Sequence, residues 1–410
     1  MSPLSPAKAT LSERHVLALA TACGFTVANL YYSQPLLPSM AAAFGRGTEA
    51  QGAIAMMTQV GYAAGLLLFG PMGDRFDRRR LTAILLLANA ASLLFCATAV
   101  NLAWLLAGSM LLGLTAVSAQ IIIPAVSSLV DPARRGLAVG RLMSGMFAGI
   151  LLARTVSGYV GEYAGWRQMF MLAAGLDLAA IALVWRFLPL SKGSSDLSYP
   201  RLLASLGQLF AQQPALRQAC LSGFLLFAAF NVFWGSLASM LARPPYGYES
   251  GTTGLFGLVG IVGMLASPAI GRLADRWGGR RVVALAAGLV LAAFMLFFGA
   301  ASHLGWLIAG IVVLDLGSRG NAVANPAGLY ALLPEARGRL NTVFMSCYFL
   351  GGATGAALGS AAGSSFGWSG IAVAGMLCAA VVLGAMARAD AAEGSASTLA
   401  LRARAVKVTK

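Results

Sequence analysis

Charge is what this chain has least of. Only 10% of its 410 residues are charged, against roughly a quarter in soluble globular domains, and the 14 Asp and Glu are outnumbered by 29 Lys and Arg. Histidine is nearly missing: His15 and His303 both lie near the ends of apolar runs. No H-E-x-x-H and no nucleophile elbow occurs, so a membrane-embedded hydrolase or zinc enzyme is a remote reading. No G-x-x-x-x-G-K-[ST] loop occurs either, which removes the usual means of drawing on ATP. The five cysteines (Cys23, Cys96, Cys220, Cys347, Cys378) sit inside apolar runs without paired spacing. They read as small core residues. No cleavable leader is expected, because the first apolar run is too long and is followed by others.

Apolar residues fill the space that charge leaves. They make up 58% of the chain, and the mean hydropathy is +0.77. Twelve runs, at about 15–42, 51–72, 81–100, 102–128, 137–161, 168–189, 215–241, 252–273, 282–301, 305–330, 340–363 and 368–388, are long enough to cross a bilayer as helices. The predicted fold is an all-α membrane protein. A cytoplasmic lead (1–14) precedes a six-helix bundle (15–189). A cytoplasmic linker (190–214), a second six-helix bundle (215–388) and a basic cytoplasmic tail (389–410) follow. In the linker, Ser191–Asp196 reads as flexible. Leu202, Leu203, Leu206, Leu209 and Phe210 recur at helical spacing, as in an amphipathic helix lying on a membrane face. The Ala-, Ser- and base-rich tail is expected to be disordered.

The net charge of +15 is distributed as a topology signal, not as a nucleic-acid surface. Only Arg46, Arg167 and Arg243 fall on loops of one parity, and Arg154 and Arg319 fall within spans. The remaining Lys and Arg lie on the other parity, which places both termini in the cytoplasm. The partners expected are a small-molecule solute and the lipid bilayer, with no nucleic acid.

The two bundles repeat one another. Gly70-Pro-Met-Gly-Asp74-Arg75-Phe76-Asp77-Arg78-Arg79 and Gly271-Arg-Leu-Ala-Asp275-Arg276-Trp277-Gly278-Gly279-Arg280 share Gly, Asp, Arg, an aromatic and Arg at the same spacing. One register shift also carries Asn29 onto Asn231, Pro124 onto Pro326, Gly136 onto Gly338, Gly149 onto Gly351, and Gly165-Trp166 onto Gly367-Trp368. A chain of two related membrane halves has a natural solute site between them.

On these motifs the chain resembles the major facilitator superfamily from end to end. Gly70–Arg79 is similar to the family's G-x-x-x-D-R-x-G-R-R loop between helices 2 and 3, with Asp77 where that pattern has glycine. Gly271–Arg280 is similar to the matching loop between helices 8 and 9. The resemblance implies twelve transmembrane helices in two pseudo-symmetric bundles working by alternating access. It implies a cytoplasmic latch built from Gly70, Asp74, Arg75, Arg78 and Arg79 with Gly271, Asp275, Arg276 and Arg280. The fifth span carries Gly145, Gly149, Ala153, Ser157 and Gly158, a small-residue ladder similar to the family's exporter motif, with Arg154 in place of its proline. Ser109 stands where proton-coupled exporters carry arginine, and the first span has no acidic residue. The resemblance thus points to secondary transport by a monomer in a bacterial inner membrane. No cofactor is expected beyond a proton as coupling ion.

Four charges lie within spans: Arg154, Asp177, Asp315 and Arg319. Each costs a few kcal/mol or more in hydrocarbon and so should face a partner in the interior. At 1.5 Å per residue, Arg154, Asp177 and Asp315 all lie ~12–15 Å from the outer ends of their helices. Arg319 follows Asp315 by one turn on the same face. Asp315 is expected to be the proton-responsive group, tuned by Arg154 or Arg319, and Asp177 a structural partner of Arg154. A closed Arg154–Asp315–Arg319 ion network that only holds the bundle together stays open as an alternative. The expected cavity lining is Asn29, Tyr32 and Gln34 of the first span, with Tyr31 beside them facing the solute, and Gln59, Gln120, Asn231, Trp234 and Asn325 of other spans. Amide and aromatic groups with few fixed charges suit a small amphipathic or neutral solute. Efflux is the leading reading, from the ladder. Uptake of a sugar or organic acid, which an anionic solute paired with Arg154 or Arg319 would favour, and a non-transporting sensor stay open.

The topology is testable by cysteine-accessibility labelling in intact cells. Cysteines placed in the Arg46, Arg167 and Arg243 loops should react from outside, and those at Ser194 and Ser397 should not. Labelling of Ser194 from the outer face would overturn the arrangement.

Overall fold

A computed structural model describes residues 11–131, 134–191, 198–333 and 336–408. The first ten residues of the lead and most of the Ser191–Asp196 linker lie outside the described residues, as do the side chains from 389 onward. The described chain is helical. The first apolar run is α1 (Glu13–Ala28), an irregular stretch and α2 (Leu37–Ala42). Then come α3 (Thr48–Phe69), α4 (Arg78–Ala97), α5 (Leu102–Thr115) and α6 (Ser118–Leu129). The first half closes with α7 (Arg135–Tyr163) and α8 (Trp166–Phe187). After α9 (Tyr199–Gln212), the second half runs through α10 (Pro214–Leu241), α11 (Ser250–Leu255) and α12 (Ile261–Trp277). It ends with α13 (Gly279–Phe297), α14 (Leu304–Leu332) and α15 (Arg337–Val408).

Ten helical stretches among the described residues are long and apolar enough to cross a membrane. The last of them, in α15, is two helices meeting at Gly367, and the first apolar run is broken into helices of 16 and 6 residues. Dividing the one and adding the other matches the twelve runs in the sequence.

The repeated Gly-Trp pairs now have a cause. Gly165 and Gly367 both have positive φ, 98° and 59°, a region that residues with a Cβ avoid. Each reverses the chain between the last two spans of its bundle, and Trp166 and Trp368 pack inward behind it. The two Gly–Asp–Arg loops part company at their eighth position. Gly278 turns with φ 85° and gives no side-chain cap. Asp77 keeps an ordinary φ of −62° and caps α4 instead, its Oδ1 accepting from Arg80 N at 2.8 Å. Its Oδ2 accepts from Ser191 N at 2.8 Å, tying the start of the linker to the loop. An N-cap of this kind is worth ~1 kcal/mol, so the departure from the family pattern carries a local function.

The small-residue ladders set the helix spacing. A Cβ on Gly149 would come within 2.3 Å of the Gly24 carbonyl oxygen, and one on Gly355 within 2.0 Å of the Ala228 oxygen. Thus α7 lies backbone to backbone on α1, and α15 on α10. Such contact replaces the hydrophobic drive that helices lack in lipid. The same ladder joins the halves. On the face opposite the Gly–Asp–Arg loops, Thr155 donates to the Gly254 oxygen at 3.2 Å and Ser250 to the Gly158 oxygen at 3.0 Å. Gly251 N donates there to Glu162 at 2.8 Å. On the other side of the interface, α3 packs on α15, with Gly52 against Ser360 and Gly70 against Thr342. Towards the loop face α12 leans on α14 and α13, and Gly136 and Gly140 of α7 have open space beside them.

Two expectations need correction. The linker helix α9 buries Leu202 and Leu206 against α10 and α15 and donates Tyr199 Oη to the Leu68 oxygen, so it docks on the bundle. The expected disordered tail is helical in backbone to Val408; its Ala, Leu, Arg and Lys are strong helix formers.

Candidate functional site

The interface between the bundles brings Arg154 of α7, Trp234 of α10 and Asp315 and Arg319 of α14 to one level. Arg154 is 4% exposed. Its Nε donates to Gln34 Oε1 at 2.7 Å, and its guanidinium lies 3.8 Å from the Trp234 ring centre and 5.2 Å from that of Tyr31. A desolvated contact of this type is worth ~2 kcal/mol. Room for the side chain comes from Gly257, where a Cβ would sit 2.9 Å from Arg154 Cβ. Arg154 Nη2 is buried with no hydrogen-bond partner.

Asp315 is also 4% exposed. Its Oδ2 occupies the space beside Gly260, where a Cβ would approach to 2.7 Å. Both arginines lie within electrostatic range, yet neither forms an ion pair with it within 4.0 Å. The ion pair seen among the described residues is Arg141–Glu13, at 3.2 Å. The closed Arg154–Asp315–Arg319 network is therefore absent as a bonded structure. Arg319 instead rests over Phe147, 4.4 Å from the ring centre. Trp234 Nε1 is buried without a partner, facing the Asp315 carboxylate but short of hydrogen-bond geometry.

Arg154, Asp315, Arg319 and Gly260 border a cavity of about 40 Å³, lined also by Tyr31, Phe227, Phe230, Ser318 and Tyr348. Its size admits roughly one water, so a solute must widen it. The larger recess, about 530 Å³, runs along α1 and α7 past Phe25, Gly145 and Leu152. It is apolar, and its one charged lining residue, Arg141, is already paired.

Several expected lining residues belong elsewhere. Asn29 donates to Asp177 at 2.9 and 3.1 Å and to Asn89 Oδ1 at 2.7 Å, and Asn89 continues to Thr115 and the Leu112 oxygen at 2.8 Å. Asp177 is fully buried in this polar knot and is not the partner of Arg154. Its helix, α8, packs mainly on α4 and α1. Tyr32 lies by the α1–α7 recess, and Asn325 binds Asn321 and Ser222 beside another recess near Gly279. Gln59 meets Asn231 at 3.5 Å across the bundles, Asn231 also donates to the Phe227 oxygen, and Gln120 lies by Tyr62. These are contacts between or within helices. Gln34 and Trp234 do serve the site, by holding Arg154.

Tyr31, read from the sequence beside Tyr32, does line the cavity; the residues missed were Phe147, Phe227, Phe230, Ser318, Tyr348 and Gly260. Helical period could not separate Tyr31 from Tyr32, because α1 breaks at Asn29 and the chain turns before Gln34. The phenylalanines look like any core residue until the bundles are docked.

At the loop face, Asp74 lies near the start of α15, where a Cβ on Gly338 would be 3.7 Å from its Oδ2. Arg78 and Arg339 are within its electrostatic range. Arg78 spans to the Gly73 oxygen and Ser128 Oγ, both at 2.9 Å, and Arg79 stacks on Trp185. Arg75 points outward beside Phe76. The second copy is looser: Asp275 and Arg276 are exposed, Gly271 has only Val323 near it, and Arg280 reaches the Met386 oxygen at 3.3 Å.

Comparison with known proteins follows the same lines. A family model described as Major Facilitator Superfamily matches residues 17–279 and again 219–408. The "Uncharacterized transporter YgaY" of Escherichia coli O157:H7 is 40% identical over 374 residues, covering 91% of this chain and 95% of that protein. Among solved structures, a mutant of the nucleoside transporter NupG has a TM-score of 0.75 at 14% identity, covering 91% of this chain and 99% of that one. A bacterial homologue of the human lysosomal transporter Spinster, inward-facing and unoccupied, has a TM-score of 0.71 at 14% identity, covering 94% and 96%. At those identities the likeness is one of fold.

The polar knot predicts a stability difference. Asp177→Leu strands the Asn29 amide and should cost about 1–3 kcal/mol, whereas Asp177→Asn keeps an acceptor and should cost less. Thermal unfolding of the purified variants, followed by tryptophan fluorescence, measures this. A leucine variant as stable as wild type would contradict the assignment.

Proposed function

The chain belongs to the Major Facilitator Superfamily, a family of membrane transporters and not of enzymes, and from that premise we propose that it is a proton-coupled secondary transporter of a small amphipathic solute. The solute passes through the Arg154–Asp315 cavity by alternating access, and Asp315 takes up and releases the proton. One observation carries this reading: a buried carboxylate faces two arginines without bonding to either, at the level where the bundles meet. A merely structural charge would be tied by hydrogen bonds, as Asp177 is. A charge left untied at the hinge between two moving bodies can change its ionisation as they move.

Efflux was the leading sequence reading because of the ladder on α7. That ladder is spent on close contact with α1 and α11, and such packing serves either direction. The count of two guanidiniums to one carboxylate supports the second reading, uptake of an organic acid. We place both termini in the cytoplasm on the distribution of the Lys and Arg, and the protein in the bacterial inner membrane on its likeness to bacterial transporters.

The test is transport in proteoliposomes with an imposed pH gradient, using a cationic dye, a sugar and an organic anion. Asp315→Asn should abolish concentrative, pH-driven movement yet retain counterflow. Unaltered pH dependence in that variant would remove Asp315 from the coupling role. Asp74→Asn addresses the loop latch. A carboxylate near a helix N-terminus contributes ~0.3–1 kcal/mol, up to ~2 when partly buried, so transport should fall about three- to tenfold. Asp275→Asn, in the exposed copy, should change it less than about twofold by the same measure. Wild-type rates in Asp74→Asn would discard the latch.

A further inference from the structure

The central cavity holds donors and positive charge that the protein itself does not satisfy. Arg154 is buried to 4% exposure, gives its Nε to Gln34, and leaves Nη2 without an acceptor. Arg319 makes no hydrogen bond or ion pair among the described residues and rests on Phe147. One carboxylate, Asp315, serves both without contacting either within ion-pair distance. Protein interiors seldom leave a guanidinium N–H unpaired, because the lost hydration is not recovered. Here stacking on Trp234 holds the guanidinium in place while its outer edge stays vacant. Around that edge the walls are flat and aromatic: Tyr31, Phe227, Phe230 and Tyr348.

We propose that the solute is a small organic monoanion with a flat apolar body, that its carboxylate or other oxyanion takes the unpartnered edge of Arg154, and that it binds together with a proton on Asp315. This rests on the proton-coupled reading above and extends it. A guanidinium edge matches a planar oxyanion with two parallel donors, and the aromatic walls receive the body by stacking. The solute's anion and the Asp315 carboxylate compete for the same two guanidiniums. Protonating Asp315 releases them to the solute, and by reciprocity the bound solute favours the proton. The proton and the anion therefore travel in the same direction.

The charged and titratable groups that face Asp315 are few. Arg154 comes from α7, Arg319 from α14 itself, Tyr31 from the segment after α1, and Tyr348 from α15. From α10 come Phe227, Phe230 and Trp234, and before α12 comes Gly260, none of which titrates. Arginine and tyrosine keep one charge state between about pH 5 and 8 in their ordinary chemistry, which leaves Asp315 as the responsive group.

The test uses full-length protein in detergent and matched probes: benzoate, benzamide and benzylamine, and indole-3-acetate, indole-3-acetamide and tryptamine. Binding is read from saturable thermal stabilisation at pH 6 and pH 8. At least one acid should bind, more tightly than its amide or amine and about fivefold or more tighter at pH 6. Asp315→Asn should retain acid binding with its pH dependence reduced below about twofold. Arg154→Gln should weaken acid binding about tenfold or more, and Arg154→Lys should restore part of it in a protein that keeps the charge. Selectivity in the wild type needs no variant to fold. Amines binding more tightly at pH 8, acids and amides binding equally, or no acid binding at all would each overturn the anion assignment. If a dye or sugar still moved under a pH gradient, the transport reading would stand while this one fell. Acid binding indifferent to pH would leave the anion site in place and overturn the shared proton.

Discussion

A guanidinium from one bundle stacked on an indole from the other is the contact around which this molecule is arranged. Arg154 belongs to the first half and Trp234 to the second, and they meet well inside the membrane, where an uncompensated charge is costly. Gln34 fixes one edge of the guanidinium and the glycines of the facing segment make room for it. Everything at the centre follows from keeping that charge buried but incompletely bonded. Asp315 is near enough to feel it and not near enough to neutralise it.

Glycine makes such a centre possible. In lipid, helices gain little from hydrophobic association, and close backbone contact takes its place. The rows on α7 and α15 bring each to the helix that begins its half, and α7 continues across to α11. Hydrogen bonds of Thr155, Ser250 and Glu162 secure that crossing on the face away from the Gly–Asp–Arg loops. On the loop face the corresponding stretch of α7 is unpacked beside Gly136 and Gly140. The halves are thus held by α7 and α11 on one side of Arg154 and by Gly70 and Asp74 against α15 on the loop side, the contacts that alternating access must exchange.

How far the sequence alone could see depended on which physics each feature obeys. The twelve spans, the repeat and the two bundles follow from segment length, hydropathy and register, which are local. Arg154, Asp315 and Arg319 were legible because a charge in a span must face the interior. Their neighbours were less so. Asn29 and Asn231 occupy repeat-related positions and both bind other helices, and the same local pattern gave Tyr32 together with Tyr31, since the broken segment after α1 loses the period on which a face is assigned. Asp177 misled for a different reason. Depth along a helix can be read from sequence but rotation about it cannot, and rotation decides that Asp177 meets Asn29 instead of Arg154. Asp77, a departure from the family loop, was explained only by the cap that it makes with Arg80.

The proposed proton coupling requires Asp315 to be the carboxyl that changes protonation, while Asp177 is held by its amide partners. Infrared titration of the purified protein across neutral pH reads carboxyl groups directly, as a protonated C=O band that grows as pH falls. The predicted result is a band present in wild type and in Asp177→Asn, and missing in Asp315→Asn. A band that survives Asp315→Asn and disappears in Asp177→Asn would contradict it.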